Sequence, residues 1–173
     1  MNFNEDFRHN PAVNFRDKII SLETLPAWRA AIRAAGKKLV VTNGCYDILH
    51  TGHATYLEAA RNHGDVLLVG VNTDASVREN KGPSRPVNSE ADRALLLAAL
   101  ASVDGVCIFG ERTAAKFLAL VQPDVYVKSG DLNLNTLPPD EVRTVNECGG
   151  KIVFAPFVSG KSTTALLEKI SRL

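Results

Sequence analysis

Cysteine is scarce in this sequence and shows no pairing pattern. Cys45, Cys107 and Cys148 are the three present, an odd number with no Cys-x-x-Cys spacing. That argues against a disulfide framework or a zinc knuckle and favours a reducing compartment. Long apolar runs are missing too: the longest are strand-sized, well short of the ~20 residues that span a bilayer. The opening Met1-Asn2-Phe3-Asn4-Glu5-Asp6 carries acids where a secretory signal has an apolar core. A soluble, cytoplasmic protein is expected. Charge of one sign is lacking as well. The formal net charge is +1, so no global field recruits nucleic acid or an anionic membrane, and neither is an expected partner. Any anion site has to be a local cluster.

What is present suits one globular domain: 173 residues, 45% of them hydrophobic, enough for a substantial core. Pro26 to Ala35 reads as a helix with proline in its first turn, stopped by Gly36. Leu39-Val40-Val41 is a short apolar strand that runs into Thr42-Asn43-Gly44. A helix is expected from Thr51 to His63, closed by Gly64, and then a second apolar strand, Val66 to Val71. Residues Lys81 to Pro86 read as a loop. Asn88 to Asp92 carries a Ser-x-x-Asp capping box ahead of a helix whose buried stripe is read as Leu95, Leu96, Ala99 and Leu100. Strands at 103–109, 124–128 and 152–154 alternate with helices at 113–121, 141–148 and from Ser162 onward, the last with Leu166, Leu167 and Ile170 on one face. Continuously apolar strands alternating with helices predict an α/β fold: a doubly wound, Rossmann-like, five-stranded parallel sheet with helices on both faces. Ligands of such sheets sit beyond the carboxyl ends of the strands, near the topological switch point.

The first strand-to-helix turn carries the densest chemistry. His50 and His53 are three apart and share a helical face. They stand at a helix start, where free N–H groups and the positive dipole end favour anions. Gly52 removes a side chain between them, and Asn43-Gly44 supplies a turn with further amides. Together these form a candidate polyphosphate site. A histidine pair at this spacing is by itself more often structural, and no nearby carboxylate or cysteine completes a metal shell.

The run Gly44-Cys45-Tyr46-Asp47-Ile48-Leu49-His50-Thr51-Gly52-His53 resembles the signature of the cytidylyltransferase-like nucleotidyltransferases, with their His-x-Gly-His element. Gly70 to Arg78, Lys81 to Val87 and Ser162-Thr163-Thr164 are similar to the adenylyltransferase domain of the bacterial ADP-heptose synthesis enzymes. The resemblance implies adenylyl transfer from ATP to D-glycero-β-D-manno-heptose 1-phosphate, for lipopolysaccharide inner-core precursors. It implies magnesium carried mainly on the ATP phosphates, with no metal ligands assigned, and suggests a homodimer. Residues 1–24 are then an N-terminal extension and 25–173 the transferase domain. In many relatives the domain is fused to a sugar kinase. No kinase-sized segment precedes it here, so a separate heptose kinase upstream is expected.

The implied roles fall on residues that suit them. The sugar phosphate is already an ionised nucleophile, so the site needs cationic and N–H donors rather than a triad. His50, His53 and Lys81 are the catalytic candidates. Asn43, Gly44, Cys45, Tyr46, His50, Gly52, His53, Lys128, Gly130, Asp131, Ser162, Thr163 and Thr164 are candidates for the nucleotide. Asp47, Asp74, Lys81, Arg85 and Arg93 are candidates for the sugar phosphate. Without the resemblance, Lys81 and Arg85 read equally well as solvated loop cations, Arg93 as a helix-surface cation, Asp47, Asp74 and Asp131 as caps or turn residues, and Ser162 as a plain helix cap. Ala155 to Ser162 also looks like a relaxed P-loop. Only one helix's worth of chain follows it, so an NTP hydrolase is disfavoured. Glycerol-phosphate cytidylyltransferases carry arginine where this chain has Phe157, which turns the reading toward heptose and leaves cytidylyl transfer to glycerol 3-phosphate as the alternative. A non-catalytic nucleotide-binding module is the remote one. The role of Lys161 is open.

Overall fold

The computed structural model describes residues 14–129, 132–156 and 160–173. Five parallel strands form one sheet: β1 (Leu39–Gly44), β2 (Val66–Asn72), β3 (Gly105–Phe109), β4 (Val125–Ser129) and β5 (Lys151–Ala155), in the order β3-β2-β1-β4-β5. Among the described residues the α-helices are α1 (Leu25–Ala34), α2 (Thr51–Arg61), α3 (Asp74–Lys81), α4 (Glu90–Ala98), α5 (Ala115–Val121), α6 (Pro139–Glu147) and α7 (Thr163–Ile170). The expected doubly wound sheet is found.

Strand alternation divides the core in two. Leu39, Val41, Leu68 and Tyr126 point to one face, with Leu25 and Ile32 of α1, Phe117 and Leu118 of α5 and Val145 of α6. Val40, Leu67, Val69 and Val125 point to the other, with Leu57 of α2 and Leu97 of α4. Strands β1 to β4 are therefore buried on both sides over most of their length, which is why their runs are apolar, while β5 at the sheet edge is only partly buried.

The exposed edge of β3 is covered by the segment before α1. Phe15–Lys18 form a 3₁₀ turn, the Ile20 N–H bonds the Val106 carbonyl at 2.8 Å, and Lys18 Nζ donates to the carbonyls of Leu100 and Val103. Covering an edge in this way removes a template for strand addition.

Three local expectations change. Gly64, expected to close the helix that starts at Thr51, is required for a close approach. A Cβ there would meet Val40 Cγ2 at 2.7 Å and the Lys38 carbonyl at 2.9 Å. Residues 74–81 are a helix, and Lys81 is its last residue rather than part of the following loop. Its apolar period is too weak to read, because Ser76 and Val77 are its buried residues. On α4 the buried face is Arg93, Ala94, Leu97 and Ala98, and Leu96 is 47% exposed. Reading apolar residues alone misses this phase because an arginine sits on the buried stripe.

That arginine acts as a bracket. Arg93 is fully buried. Its Nε donates to the Asn88 carbonyl at 3.1 Å and Nη1 to the Cys45 carbonyl at 2.5 Å. Its Nη2 donates to the Asn72 carbonyl at 2.7 Å and pairs with Asp74 at 2.8 Å. One planar fork thus ties the ends of β1 and β2 to the starts of α3 and α4. Replacing Arg93 with alanine leaves buried carbonyls and a carboxylate without their donor, and a loss of about 3–5 kcal/mol is expected. Chemical denaturation measures it. A variant of unchanged stability with a raised KM would instead make Arg93 a substrate contact.

Candidate active site

A cleft of about 460 Å³ opens at the carboxyl end of the sheet, where β1 neighbours β2 on one side and β4 on the other. It is the switch point of the doubly wound order. Its walls come from the ends of β1 and β4, the first turns of α2 and α7, and the α3 terminus with the loop after it.

The β1–α2 turn is shaped by its glycines and by one strained residue. Tyr46 sits at φ 49° in the left-handed region and is buried; that conformation costs a non-glycine residue ~1–2 kcal/mol. Its ring lies where a Cβ on Gly44 would stand, 3.2 Å from Cε2, and meets His53 edge-on with centroids 5.3 Å apart. His50 is the N-cap residue of α2, and its ring stacks on His53 at 3.8 Å with planes 20° apart. Gly52 makes that stack possible, because a Cβ there would lie 3.0 Å from the His50 ring and from Lys161 Cβ.

Both imidazoles have a buried Nδ1 with no partner among the described residues. Burial, then the neighbouring His50 ring, pushes the His53 pKa down to about 4; burial, then Lys161, lowers that of His50. At neutral pH the pair is therefore uncharged.

Cations ring the pair. Lys81, Arg85, Lys128 and Lys161 all line the cleft. Asp47 is the one acid among the described lining residues, and it is already engaged: its carboxylate accepts Arg85 Nε at 2.5 Å and the N–H groups of Val87 and Asn88. Burial opposes its ionisation, but the Asn88 N–H, the Arg85 guanidinium and the Val87 N–H together hold its carboxyl below the usual range. Asp47 thus fastens the Arg85 loop. Cys45 lines the wall as a thiol, since burial raises its pKa against the pull of Lys81 and Arg93.

Ser162 caps α7 by accepting the Ala165 N–H at 3.1 Å, while Thr163 Oγ1 donates to the Ile48 carbonyl at 3.3 Å. That second bond ties α7 to the turn before α2, so two helix N-termini meet at one cleft.

The structure brings together Asn43, Gly44, Cys45, Tyr46, Asp47, His50, Gly52, His53, Lys81, Arg85, Lys128, Ser162, Thr163 and Thr164. It does not bring Arg93 and Asp74 to the cleft wall. Both were expected at the sugar phosphate; they are paired with each other beneath it. Gly130, Asp131 and Phe157 lie outside the described residues. Residues that sequence reasoning missed include Tyr56, one turn beyond His53 and so findable by spacing, and Ser129, Leu132 and Pro156, which carry no such signal. Lys161, left without a role, stands beside His50.

The cytidylyltransferase-like family model matches residues 41–168. The chain belongs to that family, and its class is nucleotidyltransferase. It is 49% identical over 153 residues to the bifunctional protein HldE of Geotalea uraniireducens, covering 88% of this chain and 31% of the relative. It is 43% identical over 164 residues to HldE of Mesorhizobium japonicum, covering 95% and 33%. The chain thus spans about a third of the length of these curated relatives. Among solved structures, the lipopolysaccharide core biosynthesis protein of Thermoplasma volcanium is 28% identical with a TM-score of 0.60, covering 73% of this chain and 100% of that one. Pantoate-beta-alanine ligase of Francisella tularensis shares the fold at 14% identity and a TM-score of 0.54, covering 90% and 78%.

The histidine shifts set a pH dependence. His53 titrates near 4 when folded and near its ordinary 6.5 when unfolded, so between those values the unfolded chain binds more protons and stability falls as pH falls. A bound polyphosphate favours the charged imidazoles and raises both pKa values. Pyrophosphate binding near pH 5.5 is therefore expected to take up protons, read by calorimetry in buffers of different ionisation enthalpy. Proton-neutral binding at that pH would remove the pair from the anion site.

Proposed function

We propose that the cleft transfers AMP from ATP to D-glycero-β-D-manno-heptose 1-phosphate, giving ADP-heptose and pyrophosphate. One observation carries the transfer reading. A stacked pair of uncharged histidines, each with an Nδ1 unpartnered among the described residues, shares the cleft with four cations, and the single acid among the described lining residues is engaged by Arg85. Such a cleft suits two polyanions that must be drawn together. The heptose reading is supported by the similarity to proteins named HldE and to one titled for lipopolysaccharide core biosynthesis.

In this mechanism a phosphate oxygen of the sugar phosphate attacks the α-phosphorus of ATP. The new P–O bond forms as the α–β bridging bond breaks, and pyrophosphate leaves with the electron pair. His50 and His53, with the first-turn amides of α2, donate to charge developing on the triphosphate. Asn43, Gly44, Cys45, Tyr46, Gly52 and Lys128 line the nucleotide's path, with Ser162, Thr163 and Thr164 at its β- and γ-phosphates. Lys81 and Arg85 face the incoming sugar phosphate, and Asp47 keeps Arg85 in place. Among the described residues no three His, Cys, Asp or Glu side chains gather into a metal shell. Magnesium therefore fits as an ion carried on the nucleotide phosphates, where it would offset their charge. The sugar 1-phosphate substrate would come from a kinase reaction, and the working unit would be a homodimer in the cytoplasm. Among the described residues no helix is long and apolar enough to cross a membrane.

Two measurements test this. A panel of nucleoside triphosphates against sugar and alditol phosphates, read by pyrophosphate release, is expected to peak with ATP and heptose 1-phosphate. Dominance of CTP with glycerol 3-phosphate selects the cytidylyl reading, and tight ATP binding without turnover selects a binding module. His53→Ala is expected to lower kcat by ~10²–10³ with the fold intact; near-normal turnover removes His53 from the mechanism.

A further inference from the structure

We propose that Glu141, on α6 outside the cleft, is a positioning residue that keeps Lys128 charged and aimed at the β1–β4 crevice. The inference rests on the cleft being the transfer site.

Glu141 is buried, 3% exposed, yet it lines no part of the cleft. Both of its oxygens are engaged. Oε1 accepts the Ala114 N–H at 2.9 Å, the N-cap position of α5. Oε2 accepts the Tyr126 hydroxyl at 2.8 Å and lies 3.7 Å from Lys128 Nζ. The Tyr126 hydroxyl also reaches Asn43 Oδ1 at 2.5 Å, and Lys128 Nζ donates to the same oxygen at 3.1 Å. The result is a closed ring of four side chains, Glu141–Tyr126–Asn43–Lys128, drawn from α6, β4 and β1. Two of its members, Asn43 and Lys128, line the cleft.

Each link has a physical consequence. Tyr126 has one proton and two acceptors. Burial first, then the charge of Glu141, raises its pKa far above the ordinary phenol value, so that proton stays. The hydroxyl is shared between Glu141 and Asn43 and fixes the amide of Asn43 against the strand end. Lys128 is lowered by burial and raised again by Glu141. Among the described residues, the charged and titratable neighbours of Lys128 are Glu141 from α6 and Tyr126 from its own strand, whose ring centroid is 5.2 Å from Nζ. Asn43 from β1 is neutral. Glu141 is thus the counter-charge that lets a buried ammonium persist at the cleft before an anionic substrate arrives. A neutral amine there would lose its attraction for the nucleotide phosphates.

Glu141→Gln keeps the shape and the acceptor for Ala114 but removes the charge. The test follows Lys128 directly by titrating its ¹³Cε resonance, assigned by its loss in Lys128→Met. The Lys128 midpoint is expected to fall by about one pH unit or more in Glu141→Gln. The alkaline limb of kcat/KM should move down with it, which lowers activity on that limb about tenfold per unit. In the Lys128→Met background, Glu141→Gln should then have little further kinetic effect. Thermal melts check that each variant folds. If Glu141→Gln does not fold, Glu141→Asp keeps the charge one methylene further away and should give a smaller fall. An unmoved midpoint overturns the proposal. An equal kinetic cost with and without Lys128 overturns it too, because Glu141 would then act only through packing. The resonance needs no turnover. A midpoint that moves in a protein inactive across the substrate panel overturns the transfer reading while the Lys128 coupling stands.

Discussion

β1 is the central strand of the sheet, and its two edges are unequal. It pairs with β2 over six residues, from Leu39 with Val66 to Gly44 with Val71. With β4 it pairs over two, Val40 with Val125 and Val41 with Tyr126. Beyond Val41 the strands part, and buried backbone groups in the gap need other partners. Side chains supply them. The Tyr56 hydroxyl donates to the Val127 carbonyl at 2.9 Å and accepts from Thr42 at 2.7 Å. One step further out, Asn43, Tyr126 and Lys128 close the gap with their own bonds. The parting of two parallel strands creates the crevice, and the groups that repair it line its floor.

Everything at the cleft hangs from that opening. The turn leaving β1 has to reverse sharply into α2, which places Tyr46 in a left-handed conformation and stacks His50 on His53. The turn is held from below by Arg93 on the Cys45 carbonyl and from the side by Asp47 on the Arg85 loop. Thr163 on the Ile48 carbonyl then brings in the second helix terminus. Among the described residues, the charged side chains lining the cleft are cations apart from Asp47, and the carboxylates fasten the supports. Asp74 holds Arg93, Asp47 holds Arg85, and Glu141 holds Lys128. This division leaves the cleft positive while the chain as a whole carries a net charge of +1.

Much of this was legible along the chain. The strand runs are apolar because both faces of the sheet are covered, and the order of elements is enough to predict a parallel, doubly wound sheet. The motif around His50 and His53 locates the first strand-to-helix turn, and the Ser89 and Ser162 caps are found where their hydroxyls lie in the sequence. The family follows from the same short runs. The misreadings of Arg93 and Asp74, which lie off the cleft wall, share one cause: the partner of a charged side chain is remote in sequence. Arg93 is polar by type yet fully buried, so its helix was read out of phase and its side chain was sent to the substrate.

The sequence by itself determined the fold class, the position of the candidate site at the first strand-to-helix turn and the set of donors near it, because these follow from local periodicity and short-range spacing. Tertiary structure alone decided which charges remain available to a ligand. Asp47 meets Arg85 across 38 residues, Arg93 meets Cys45 across 48, and Tyr126 meets Asn43 across 83. No pattern along the chain encodes those pairings. They arise when parallel strands place distant segments side by side, and burial then decides which polar groups must satisfy one another.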